Sequence, residues 1–163
     1  MRGQDLLGKT VVGVRRILYV YQGVVTKDEG ALELRFHDGS TALFDTTGSG
    51  TMQVTSQPWV DPFAPPLSPE NVAYVHRYGK WTAFDLTSEP PANAVIGRHV
   101  SAYEEVVTDA EILADYQCPP GQCLAASIAF GDVLVRVLNW GIDEIHVEWQ
   151  GADPTAPVQP QLG

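Results

Sequence analysis

LLGKTVVGV at residues 6–14 and VIGRHVSAY at residues 95–103 follow one pattern: an apolar residue, Gly, a base, one spacer and Val. At an offset of 89 positions, Leu7, Gly8, Lys9 and Val11 fall on Ile96, Gly97, Arg98 and Val100, and the apolar pair Ile17 and Leu18 falls on Val106 and Val107. The match continues once the second copy is allowed four or five extra residues. Leu34 and Phe36 then meet Ile128 and Phe130, Gly48 meets Gly141, and Val54 meets Val147. Agreement sustained through several segments marks a tandem duplication and sets the fold.

Each copy reads as strands. Leu32, Leu34 and Phe36 alternate with Glu33, Arg35 and His37, the two-residue period of a sheet with one buried face. Asp38-Gly39 predicts a two-residue turn, and residues 41–45 return as the hairpin's second strand. A Gly-rich loop at 46–50 leads to a short strand at 51–55. In the second copy residues 133–138, entered through Gly131-Asp132, form the equivalent hairpin, and Ile145, Val147 and Trp149 alternate with His146 and Glu148. The expected fold is mainly β (α+β with one short helix): two tandem antiparallel β-meander repeats sharing one core, as a sandwich or a partly open barrel.

Between the copies the texture changes. Pro58, Pro62, Pro65, Pro66 and Pro69 bar the segment from pairing as a central strand. Ser68-Pro69-Glu70 supplies an N-cap, an N1 proline and a first-turn acid, and Gly79 suits a helix C-terminus, so one helix is predicted over residues 69–78. KWTAFDLT at 80–87 predicts an additional strand. The organisation is then a single domain at 1–150, with repeat one at 6–55, the insert at 56–94 and repeat two at 95–150. The tail at 151–163, poor in core residues, is expected to be flexible.

Twenty acidic against ten basic residues give a net charge of −10, a field that repels phosphate backbones and favours basic partners. Nucleic acid is therefore not an expected partner. The apolar run at 11–25 is broken by Arg15 and Arg16, and no small-residue cleavage site follows it. No apolar run approaches the ~20 residues that cross a bilayer, so a soluble, cytoplasmic protein with no membrane partner is expected. Three Lys among the ten basic residues hint at a GC-rich bacterial source.

Few side chains invite chemistry. Cys118 and Cys123 flank a Pro-Pro-Gly turn and can bridge if their Cα atoms come within about 7 Å; otherwise they are two thiols at a hairpin base. His37, His76, His99 and His146 are scattered singly, so no metal site and no cofactor is expected. DTTGSG at 45–50 lacks the Lys of a phosphate loop and leads into a strand. No nucleophile elbow or other catalytic signature occurs. Glu104-Glu105 and Asp143-Glu144 are neighbours on strands, where adjacent side chains point to opposite faces, so neither pair makes a dyad. No enzyme is expected. Arg15-Arg16 in the first copy and Glu104-Glu105 in the second stand at the same offset, either as two solvated strand faces or, in a twofold arrangement, facing each other. Trp59, Phe63, Tyr74, Tyr78 and Trp81 gather around the insert, either to pack it on the sheet or to form a recognition surface.

In size, acidity, mixed β architecture and lack of catalytic signature the chain resembles the immunity proteins that bacteria make to neutralise polymorphic or contact-dependent toxins. The resemblance implies a non-catalytic domain that occludes a basic toxin face with acidic side chains. On this sequence those are Glu104, Glu105, Asp109, Glu111, Asp115, Asp143 and Glu144. Two other readings stand beside it: a small-molecule-binding or enzymatic β-barrel with its pocket between the repeats, and an assembly subunit joined through an edge strand.

Overall fold

The computed structural model describes residues 3–27, 29–48, 50–106, 122–141 and 144–151. The first copy supplies β1 (Val11–Tyr21), β2 (Val24–Lys27), β3 (Leu32–Phe36), β4 (Thr41–Thr46) and β5 (Met52–Thr55). The insert carries α1 (Pro69–Tyr78) and β6 (Lys80–Asp85). The second copy supplies β7 (Ala102–Val106), β8 (Gln122–Cys123), β9 (Ala125–Phe130), β10 (Val133–Gly141) and β11 (Glu144–Gln150). The antiparallel meander β1-β3-β4-β5 is matched by the antiparallel meander β7-β9-β10-β11, as the repeat predicts. β6 extends the first sheet along β1, and β8 pairs with β5. The chain is thus mainly β, with two antiparallel sheets over one core and, among the described residues, no closed barrel.

The two copies are related by a pseudo-twofold axis. Thr10 and His99, equivalent at the 89-residue offset, face each other in an isolated antiparallel bridge. Around them hydrogen bonds come in matched pairs: Gly8 N–H to Val100 C=O at 2.9 Å and Gly97 N–H to Val11 C=O at 2.8 Å. Val11 N–H to Arg98 C=O and Val100 N–H to Lys9 C=O, at 2.9 and 3.0 Å, complete the set. Gly8 and Gly97 both have φ of +77°, where a side chain would be strained, which is why the glycine recurs in the pattern. Short 3-10 turns, Gly3–Leu6 and Ala92–Val95, precede them at the same offset. Lys9 pairs with Asp38 in one copy and Arg98 with Asp132 in the other.

The core lies between the sheets and draws equally on both. Leu34, Phe36, Ala42, Phe44 and Met52 are buried beside their counterparts Ile128, Phe130, Val135, Val137 and Ile145. The hairpins that bring them there differ. The predicted two-residue turn at Asp38-Gly39 is instead a three-residue loop: Phe36 N–H bonds Ser40 C=O, Gly39 N–H bonds Phe36 C=O, and Gly39 takes φ of +81°. The second hairpin pairs Phe130 with Val133 across only Gly131 and Asp132. That one-residue difference keeps both meanders in register although their sequences differ in length.

Helix α1 forms as its caps dictate. Ser68 Oγ accepts from Asn71 N–H at 3.2 Å, Pro69 opens the helix, and Gly79 at φ +79° closes it. No α1 residue is buried. No helix among the described residues is long and apolar enough to cross a membrane.

Candidate functional site

The two sheets are alike inside and unlike outside. On the outer face of the first sheet Arg15, Glu33 and Leu43 form one cross-strand row. The equivalent row of the second sheet is Glu104, Ser127 and Arg136, continued by Glu148 on β11. Glu33 and Leu43 are buried, because the insert crosses over them. The expectation that only one face of β3 is buried therefore fails at Glu33. Arg136 and Glu148, by contrast, are 39% and 42% exposed, with 3.8 Å between their charged groups, and Glu104 is exposed. A second outer row of Ala102, Ala129, Leu134 and Gln150 runs beside them. Among the described residues nothing does for this face what the insert does for its counterpart.

Under the insert a buried ion pair holds the chain in place. Arg15 Nε and Nη2 donate to Glu33 Oε1 and Oε2 at 2.8 and 2.7 Å, a bidentate fork. The same two side chains grip the backbone of Trp59: its N–H donates to Glu33 Oε2 at 2.7 Å, and its C=O accepts from Arg15 Nη2 at 3.3 Å. Lys80 Nζ donates to Asp61 at 2.6 Å, and the Tyr19 hydroxyl to Tyr78 C=O. Trp59 and Trp81 consequently pack on a small outer core of Ile17, Ala31 and Leu43. Beside it opens a cleft of about 220 Å³ lined by Trp59, Trp81, Ile17, Ala31, Asp45, Thr46, Gly30 and Ile145. Asp45 Oδ1 accepts from Thr46 N–H at 2.8 Å. Arg16 Nη2 donates to the carbonyls of Gly30 and Ile145 at 3.2 and 3.3 Å.

The axis exists, but of the two readings of Arg15-Arg16 and Glu104-Glu105 neither describes the arginines, since Arg15 bonds Glu33 and Arg16 bonds the carbonyls of Gly30 and Ile145. Glu104 points outward, whereas Glu105 shares the row of buried Ala126 and Val137 and is exposed only because β7 ends the sheet. Glu144 begins β11 at the opposite edge, so these carboxylates do not converge on one spot. Asp109, Glu111, Asp115, Asp143 and Cys118 lie outside the described residues. Cys123 is buried, pairs through β8 with Met52, and contributes to the main core. Among the described residues no three His, Cys, Asp or Glu are grouped to hold a metal ion.

The aromatic group divides in two. Trp59 and Trp81 are packing residues, and Trp81 meets Tyr19 edge-on at 5.3 Å. Phe63, Tyr74 and Tyr78 form a surface row with ring centroids 5.5 and 4.9 Å apart, and Tyr74 and Tyr78 are half exposed. Sequence reasoning missed the Arg15-Glu33 fork and the cleft. A charged residue at an alternating outer position beneath a Pro-rich insert was the one available signal.

No family model, no curated protein and no solved structure matches the chain.

Proposed function

We propose that the protein is a non-catalytic protein-binding domain that docks a basic partner on the outer face of β7-β9-β10-β11 and neutralises it by covering its working surface, as immunity proteins do with toxins. The observation that carries this reading is the unequal cover of two equivalent sheets. The first has the centre of its outer face, at Glu33 and Leu43, covered by the chain's own insert, while Arg35 and Asp85 at its margin stay exposed. The second presents an alternation of small apolar residues, Ala102, Ala129 and Leu134, with the charged row Glu104, Arg136 and Glu148. Apolar contact area bordered by charge is the usual make-up of a docking surface. A net charge of −10 speeds encounter with a basic protein and selects against acidic ones.

The test is affinity capture with the full chain at moderate salt, followed by assay of the captured protein. The expected result is one stoichiometric basic partner, inhibited at a one-to-one ratio, whose capture is lost when Glu104→Lys and Glu148→Lys are combined in a folded chain. A partner retained undiminished by that double reversal, or still active at saturation, would overturn the proposal.

A further inference from the structure

The cleft between the insert and the first sheet has the make-up of a receptor for a small organic cation, and we propose that it binds one: a quaternary ammonium, or the charged head of a Lys or Arg side chain. Its volume of about 220 Å³ is below the ~300–1,000 Å³ of pockets for drug-sized ligands, so it admits a group of side-chain size. Two of the four tryptophans of the chain, Trp59 and Trp81, line it, and indole faces attract cations more strongly than any other side-chain ring. Among the described residues of the lining the carboxylate is Asp45, which accepts from Thr46 N–H among its contacts. Ile17, Ala31 and Ile145 add apolar surface, and Thr46 and the backbone of Gly30 add polar surface.

The walls are fixed before any ligand arrives. Trp59 is gripped at both its N–H and its C=O by the Arg15-Glu33 fork, and Trp81 is held on β6 opposite Tyr19. Burying an ion pair contributes little net stability over an apolar pair of equal size. Placing one under Trp59 anchors the backbone that carries an aromatic wall, the kind of support a preorganised site requires. A cation of the protein, Arg16, bonds the carbonyls of two lining residues, Gly30 and Ile145. A ligand cation is therefore held against that charge by Asp45 and the indoles, and Asp45 becomes the group on which affinity depends.

The test is a titration of the full chain, labelled with nitrogen-15, by choline, by its neutral isostere 3,3-dimethylbutan-1-ol, and by Nα-acetyl-arginine amide, reading the four indole N–H signals. Choline or the arginine amide should shift the Trp59 and Trp81 signals saturably, and the alcohol should bind about tenfold or more weakly. Asp45→Asn, which keeps an acceptor for Thr46 N–H, and Trp81→Phe should each weaken the cation by a similar factor. Equal binding of the alcohol, no saturable shift with any of the three, or undiminished affinity in both folded variants would overturn the proposal. Tighter choline than arginine amide identifies a free quaternary ammonium as the ligand, and the reverse order identifies a side chain of a basic protein. The choline arm involves no protein partner, so its outcome is separate from that of the capture experiment.

Discussion

Gly3 lies flat against the ring of Tyr103, so close that a Cβ on Gly3 would overlap it. At the equivalent positions of the other copy stand Ala92 and Val14, a larger turn residue with a smaller strand residue. Volume has been exchanged across the contact. Gly3→Ala should destabilise by about 1–3 kcal/mol through overpacking. Adding Tyr103→Val should restore most of that loss, and a double-mutant cycle by urea unfolding measures the coupling.

The Arg15-Glu33 fork predicts an asymmetry between breaking and replacing a buried pair. Glu33→Ala removes the carboxylate partner of the Arg15 guanidinium and the acceptor of the Trp59 N–H and should cost about 2–4 kcal/mol, below the limit for a fully dry pair because Arg15 is partly exposed. Arg15→Met with Glu33→Leu should cost less than Glu33→Ala alone. Denaturant unfolding gives the stabilities, and a red shift of tryptophan emission reports release of Trp59.

Leu43 and Arg136 occupy equivalent positions under unequal cover. Leu43→Arg puts a charge beneath the insert and should destabilise by at least about 3 kcal/mol. Arg136→Leu, on the open face, should stay within about 0.5 kcal/mol. Thermal unfolding of the two variants separates a covered face from an open one.

Acid should weaken the fold through the two duplicated ion pairs. The hydrogen bond from Lys9 holds Asp38 well below the usual carboxylate range, and that from Arg98 lowers Asp132. Below pH of about 4 the unfolded chain binds protons at these positions that the folded chain refuses, so stability present above that pH is lost as the pH falls. Lys9→Met and Arg98→Met should each flatten the acid limb of Tm against pH. Both pairs are exposed, and salt should flatten it too.

Tyr103 governs the alkaline side. Burial, reinforced by the neighbouring Cys123 and Glu105, pushes its hydroxyl above the ordinary tyrosine range. Its ionisation in an ultraviolet titration should come above the ordinary tyrosine range. Its contribution to stability is complete below pH of about 10 and declines above, where the unfolded chain releases a proton that the folded one retains.

The duplication was legible because it rests on local chemistry: a glycine at positive φ in both copies, and period-two runs such as Leu32, Leu34 and Phe36 facing a core. Helix α1 was legible for the same reason, since Ser68, Pro69 and Gly79 act within one turn of the chain. Strand β2 was not. It turns back on β1 through Gln22 and Gly23, both at positive φ, and Gln is seldom found in that conformation. The site was hidden more deeply. Arg15 meets Glu33 across strands and both meet Trp59 from the insert, and no spacing in a sequence encodes such a three-way meeting. Reading Arg15 against Glu104 used the symmetry correctly but overlooked that the insert gives the two outer faces different surroundings.

The bridge between Thr10 and His99 joins the halves as two identical subunits would be joined at the axis of a homodimer. Fusing such subunits into one gene frees each from having to mirror the other: a substitution on one side is no longer imposed on its twin. Arg15 and Glu104, Leu43 and Arg136, Gly3 and Ala92 are equivalent positions that differ in this way. The paired contacts at the axis stayed alike because both halves still depend on them, while the outer faces were left to specialise separately.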